Sequence, residues 1–217
     1  MDKNIIIPSV HGFANEPTYA LVSEFLKYGE SSIIHFDGLD DLAGFTGILE
    51  HFQATADIHL LSQTPTKDLI SIIQMNLQFP VRVCMHIESN ENTIYFCELA
   101  RENRMIPGIA YKLNTNIESD SDIIDRFDYI HLVCNDAASN KPNFDDRVFD
   151  KMELVREYWG QSKFVTLDSG VKEIQIKPSV EKGVNNLVMG SAIFKTEDPL
   201  ATLRRFNQIS HEGNLID

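Results

Sequence analysis

Three short stretches of this chain end in groups that do chemistry. Ile33-Ile34-His35-Phe36-Asp37 and Asp57-Ile58-His59-Leu60-Leu61 each combine histidine with aspartate two residues apart, and Phe164-Val165-Thr166-Leu167-Asp168 finishes on an acid just before Ser169-Gly170. Side chains of an extended chain alternate between two faces, so His35 and Asp37 share one face while Ile34 and Phe36 take the other. Taken singly, each has an ordinary explanation: a strand histidine is commonly a hydrogen-bonded core residue, and a strand-terminal aspartate commonly caps the following turn. Two imidazoles and two carboxylates brought side by side are instead a donor set for one divalent cation, since Zn, Fe(II), Mn and Co all accept such ligands. The expected metal set is His35, Asp37, His59 and Asp168.

For those four residues to meet, their segments must be neighbours in a sheet. Short apolar, β-branched runs recur over residues 4–10, 32–37, 56–61, 81–88, 105–113, 129–134, 163–168 and 185–190. Between them lie amphipathic stretches with helical spacing, such as 17–27, 67–77, 92–102 and 144–158. Strands alternating with helices imply right-handed crossovers and a parallel sheet. Eight such units in 217 residues predict an α/β fold, a single-domain (β/α)8 TIM barrel, ahead of an open doubly wound sheet. In a barrel, inward residues near the carboxyl ends of strands form the active-site face. His131, in the sixth run, has apolar neighbours on both sides and its face is left open.

The eighth run continues Gly190-Ser191-Ala192-Ile193-Phe194, where small residues let backbone amides approach a ligand, a common phosphate position in barrels. Amides of Ser169 and Gly170 after the seventh run would serve the same anion; a plain glycine turn is the alternative.

The whole chain bounds what these groups act on. At 43% hydrophobic it has apolar material for a substantial core. A formal net charge of -13 excludes a broad nucleic-acid or anionic-membrane surface. Cys84, Cys97 and Cys134 are widely spaced within apolar runs and read as buried thiols of a reducing compartment. The first ten residues carry Asp2 and a short apolar run broken at Pro8, unlike a signal peptide, and no stretch is long and apolar enough to span a bilayer, which together point to the cytoplasm. A tail is expected from about His211.

Several segments, in order, resemble the ribulose-phosphate 3-epimerase family of phosphate-binding barrels. Ile7-Pro8-Ser9 resembles its first-strand Pro-Ser, His35-Phe36-Asp37-Gly38-Leu39-Asp40 its His-x-Asp-x-Met-Asp, and Asp57-Ile58-His59-Leu60-Leu61 its Asp-x-His-Leu-Met. His86-Ile87-Glu88, Gly108-Ile109-Ala110, Asp168-Ser169-Gly170 and Gly190-Ser191-Ala192-Ile193-Phe194 follow. The resemblance implies a metal-dependent isomerase of a small phosphorylated sugar, working as a homo-oligomer, a dimer or larger. It implies that His35, Asp37, His59 and Asp168 bind one divalent metal, that Asp37 and Asp168 are also the catalytic acid/base pair, and that Ser9 contacts substrate. It implies a phosphate held by Ser169, Gly170, Gly190 and Ser191.

The chain departs from the family's pattern in three places. Asp41-Leu42-Ala43-Gly44-Phe45 replaces a Gly-x-Phe-Val-Pro-Asn stretch, the Met-x-Val-x-Pro-Gly-Phe-Gly-Gly-Gln loop after the sixth strand is replaced by His131-Leu132-Val133-Cys134-Asn135-Asp136-Ala137-Ala138-Ser139-Asn140, and Asp-Gly-Gly becomes Asp168-Ser169-Gly170. A barrel that binds a sugar phosphate without turning it over is one competing reading. A decarboxylase of the same superfamily is another, although Leu39 stands where its lysine would be.

Overall fold

The computed structural model of the chain describes residues 5–89, 91–135 and 143–213. Its strands are β1 (Ile6–Pro8), β2 (Ile33–Asp37), β3 (Thr55–Leu60), β4 (Val81–His86), β5 (Ile106–Tyr111), β6 (Tyr129–Val133), β7 (Phe164–Asp168) and β8 (Asn186–Met189). The helices between and after them are α1 (Glu16–Lys27), α2 (Leu42–Phe52), α3 (Pro65–Gln74), α4 (Thr93–Glu102), α5 (Ser121–Ile124), α6 (Arg147–Trp159), α7 (Glu173–Glu181), α8 (Ser191–Phe194) and α9 (Pro199–Gly213).

All strand pairs are parallel and run in sequence order around the sheet, β1 beside β8 and so on back to β2. The two end strands meet through a Ser9–His35 bridge and a Val10 N–H to His35 C=O bond of 3.2 Å. The sheet therefore closes into a (β/α)8 barrel; the open doubly wound alternative requires a reversal of strand order that is not present.

Local chemistry explains the elements. Asn15 caps α1 by accepting from Thr18 N–H, Pro17 lies in its first turn, and Val22 and Phe25 are buried beneath it. Asn92 caps α4 in the same way, over Phe96, Cys97 and Ala100. The apolar core lies between strands and helices, where Ile34, Phe36, Ile58, Val83, Ile130 and Leu167 are fully buried on the outward faces of their strands. Inward faces carry the polar residues. Cys84, Cys97 and Cys134 are buried free thiols, as expected.

Helix α9 runs to Gly213, its body fastened by Asn207 Nδ2 donating to Glu30 C=O at 2.8 Å and by buried Leu203 and Phe206, and residues 214–217 of the expected tail lie outside the described residues. Among the described residues no helix is long and apolar enough to cross a membrane.

Candidate metal centre and active site

The strand register assembles the four residues singled out by type and spacing. Asp37 lies opposite His59 across β2 and β3, and Asp168 closes the group from the end of β7. One donor atom from each of His35, Asp37, His59 and Asp168 lies within 4.8 Å of all the others. His35 Nε2 is 3.4 Å from Asp37 Oδ1 and 3.9 Å from Asp168 Oδ2, while His59 Nδ1 is 3.4 Å and 3.6 Å from the same two oxygens.

The far sides of both rings fix which nitrogen is free. His35 Nδ1 donates to Asp57 Oδ2 at 2.9 Å, leaving a lone pair on Nε2. His59 Nε2 is 2.8 Å from His86 Nε2, and His86 Nδ1 is 3.0 Å from Glu88 Oε2. Because the Glu88 carboxylate only accepts, the protons order outward, His86 donating to Glu88 and His59 to His86. That leaves the buried Nδ1 of His59 bare, and it has no hydrogen-bond partner despite the carboxylates near it. An unpartnered imidazole nitrogen, a second that faces Asp37 at 3.4 Å and two carboxylate oxygens fit a small divalent cation, with outer partners holding each histidine as metal sites require.

In the absence of a cation, burial pushes Asp37 and Asp168 up, yet hydrogen bonds and charge from the surrounding histidines hold both well below the ordinary carboxylate range. Burial likewise opposes protonation of His35 and His59, and Asp37 and Asp168, joined at His35 by Asp57, outweigh it, raising both. Protons and a cation compete for the same lone pairs.

Two clefts open on either side of the four residues, each touched by Asp37 and Asp168. One, of about 460 Å³, is lined by Ser9, Ser169, Gly170, Gly190 and Ser191, with Lys172 and Lys195. Gly170 has φ 77° and Ser169 φ 76°, so the β7 turn runs through left-handed backbone that glycine accepts and serine rarely does. A Cβ at Gly190 would lie a tight 3.1 Å from Ser9 C=O, so glycine eases the close approach of the β8 end to Ser9. The other cleft, of about 260 Å³, includes His59, His86, Lys112 and Asn135. A groove of about 480 Å³ near Phe79, Pro80 and Met105 carries none of these groups.

The ribulose-phosphate 3-epimerase family model matches residues 15–194. The chain belongs to the ribulose-phosphate 3-epimerase family. The ribulose-phosphate 3-epimerase of Aquifex aeolicus is 24% identical over 194 residues, spanning 83% of this chain and 86% of the relative. Among solved structures, a mutant tryptophan synthase α-subunit from Pyrococcus furiosus superposes with TM-score 0.70 at 14% identity, covering 97% of this chain and 98% of the other. Orotidine 5'-monophosphate decarboxylase from Sulfolobus solfataricus gives 0.69 at 10% identity, covering 98% and 100%. These two likenesses show the barrel alone.

For this member of an isomerase family, the residues expected to meet do meet: the four metal-type groups in one cluster and Ser9, Ser169, Gly170, Gly190 and Ser191 along one cleft. His131, whose face the sequence left open, points inward and is fully buried, its Nε2 3.2 Å from Asp168 Oδ2. Burial, aided by the neighbouring His59, lowers it to about 4, so the ring is neutral. Of the altered loop after β6, Asn135 borders the smaller cleft, and residues 136–140 lie outside the described residues.

Sequence reasoning missed the layer beneath. Arg82 Nε lies 3.2 Å from Asp57 Oδ1, and its other nitrogens donate to Asn186 Oδ1 at 3.0 Å and Thr166 Oγ1 at 3.2 Å. Tyr129 donates to Asp57 at 3.3 Å and its ring lies 4.1 Å from the guanidinium carbon. The Tyr129 ring occupies space that a side chain at Gly108 would fill. Asp57 is thus the anchor of His35: burial pushes its carboxyl up, but Arg82 and His35 hold it well below the usual range. The signal available was alternation along β4, which sets Arg82, Cys84 and His86 on one face.

Proposed function

We propose that this chain is a metal-dependent 3-epimerase of a ketose phosphate, interconverting ribulose 5-phosphate and xylulose 5-phosphate or a related pentulose or hexulose phosphate pair. The observation that carries the reading is that Asp37 and Asp168 combine membership in the metal-type cluster with access to the cleft lined by Ser9 and Gly190. The names of the relatives support the same substrate class.

One aspartate, as carboxylate, removes the C3 proton of the substrate; the C–H electron pair forms the C2–C3 double bond and the carbonyl electrons move to the C2 oxygen. The other aspartate, as carboxylic acid, returns a proton to C3 on the opposite face, the carbonyl reforms, and the configuration is inverted with no net gain or loss of atoms. His35, Asp37, His59 and Asp168 would hold a divalent ion (Zn, Fe(II), Mn or Co), which would supply positive charge where negative charge develops in the reaction. Ser9 borders the reacting carbons. Backbone amides of Ser169, Gly170, Gly190 and Ser191 receive the phosphate, whose dianion gains from the Lys172 and Lys195 side chains at the same cleft. The active form in this reading is a single-domain barrel assembled as a cytoplasmic homo-oligomer, a dimer or larger, as the family resemblance implies.

Metal analysis and deuterium entry at C3 from D2O test the reading together. The expected result is about one divalent ion per wild-type chain, C3 exchange with ribulose 5-phosphate, and a loss of about 10²–10⁴-fold in turnover in each of Asp37→Asn and Asp168→Asn. Binding of a ketose phosphate with no exchange at C3 in the metal-loaded protein would leave a binding module, and failure to take up metal under any loading condition would end the proposal.

A further inference from the structure

The two aspartates of the proposed reaction are held by different means. Asp37 is 19% exposed, and its Oδ1 lies 3.4 Å from both His35 Nε2 and His59 Nδ1, members of the metal-type cluster. Asp168 is fixed at both oxygens from outside that cluster. Its Oδ1 accepts the Ser169 backbone N–H at 2.5 Å, and its Oδ2 lies 3.2 Å from His131 Nε2.

His131 comes from the middle of β6 with no solvent exposure. Its ring stacks on His35 at 5.8 Å between centroids and 20° between planes, and lies 4.3 Å from the His59 ring. It borders neither cleft beside the four residues, so it does not reach a substrate there. Its Nδ1 is buried without a partner. A carboxylate oxygen accepts, so Nε2 carries a proton and points it at Asp168. An apolar side chain of similar size would fill this space without an unmatched buried polar atom. What the histidine adds over such a residue is one directed N–H.

We propose that His131 is a positioning residue for Asp168: its Nε2–H, with the Ser169 amide, fixes the carboxylate plane and so sets the geometry of one of the two proton transfers, leaving the transfer at Asp37 to be set by the metal-type histidines. Small errors in the placement of a reacting group cost large factors in rate, and an outer hydrogen bond is the usual means of preventing them. This inference rests on the proposed epimerase reaction for the role of Asp168, and on geometry alone for the hydrogen bond.

Two measurements on the metal-loaded protein test it. In the ¹⁵N spectrum of histidine-labelled wild type, His131 is expected as the Nε2–H tautomer with a slowly exchanging proton, and its signals should shift in Asp168→Asn. An Nδ1–H tautomer would overturn the proposal. In D2O, His131→Met is expected to lower kcat about 10–100-fold with KM changed by less than about twofold and metal content unchanged. Label in recovered substrate relative to product should shift in opposite senses for the two reaction directions, because one transfer is slowed and the other is not. His131→Gln, which restores a donor near Nε2, should recover most of the rate. Equal losses in both variants, or a label ratio that stays at the wild-type value while thermal stability falls, would reduce His131 to packing. Absence of C3 exchange in wild type would overturn the epimerase reading and the catalytic half of this inference, and the nitrogen spectrum would still decide whether His131 holds Asp168.

Discussion

Asp57 and His59 stand two residues apart on β3 and face the same barrel interior, yet they belong to layers with opposite character. Asp57 is met by His35, Tyr129 and Arg82, and Arg82 in turn by Asn186 and Thr166, so the lower layer is a buried ion pair held by hydrogen bonds from its neighbours, with Arg82 Nε facing Asp57 at 3.2 Å as a charge contact and not as a hydrogen bond. One layer up, His59 keeps a buried nitrogen with no partner while two carboxylates converge on it and open onto clefts. Burial of charge is common to both and distinguishes nothing. Charge pairing does: below, a carboxylate meets a permanent cation and the pair is scaffold, whereas above, two carboxylates converge with only histidines beside them and mark the place where a cation completes the group.

The largest effect that sharpens this contrast is expected in the lower layer. Arg82→Met strands the Asp57 charge in the interior and should destabilise the protein by about 3–5 kcal/mol in urea unfolding. At alkaline pH, where the imidazole is neutral, His59→Gln in the upper layer should change the stability of the metal-free protein by less than about 1 kcal/mol while abolishing tight metal binding, because it removes a group whose inner nitrogen was unmatched. A neutral Arg82→Met, or a His59→Gln that unfolds without metal, would break the distinction.

Metal linkage is the next effect in size. Stripping the protein with a chelator and reloading it with free metal at about 100 times Kd should raise stability by about 2.7 kcal/mol, seen as a rise in Tm. The rise should vanish in His59→Gln and persist in Arg82→Met where that variant folds.

Acid titration gives the smallest. The Asp57 carboxyl titrates lower in the folded protein than in the unfolded chain, because Arg82 and His35 outweigh the burial that opposes them. A depressed carboxyl stabilises the fold fully above its unfolded value, about 3.9, and loses that contribution as pH falls through and below it. Stability should therefore drop on acidification below about pH 4, and Asp57→Asn, already weaker at neutral pH, should show a flatter acid limb in pH-dependent unfolding.

Much of the upper layer was legible in the linear sequence because it obeys a local rule. Alternation alone put His35 and Asp37 on one face of β2, and strand ends carry the active-site face of a barrel, so residue type and position sufficed. Elements with weak local signals were harder to see. Helix α2 contains Gly44 and Gly47, and α7 contains Pro178, all poor helix formers whose segments are held by tertiary packing.

The lower layer and His131 depended on neighbours far along the chain. Arg82 finds its partners at Thr166 and Asn186, more than eighty residues away, and nothing in β4 itself announces them. His131 lies between Ile130 and Leu132, with Tyr129 on its own face, so the apolar pattern of β6 does not say which face turns inward. The sequence by itself determined the strand–helix alternation, the parallel barrel and the four metal-type residues, because period and residue type are properties of the local chain. Only the tertiary structure decided which nitrogen of each histidine stays free, which buried charge is neutralised and which carboxylate His131 holds, because those depend on distances between strands that closure of the sheet alone sets.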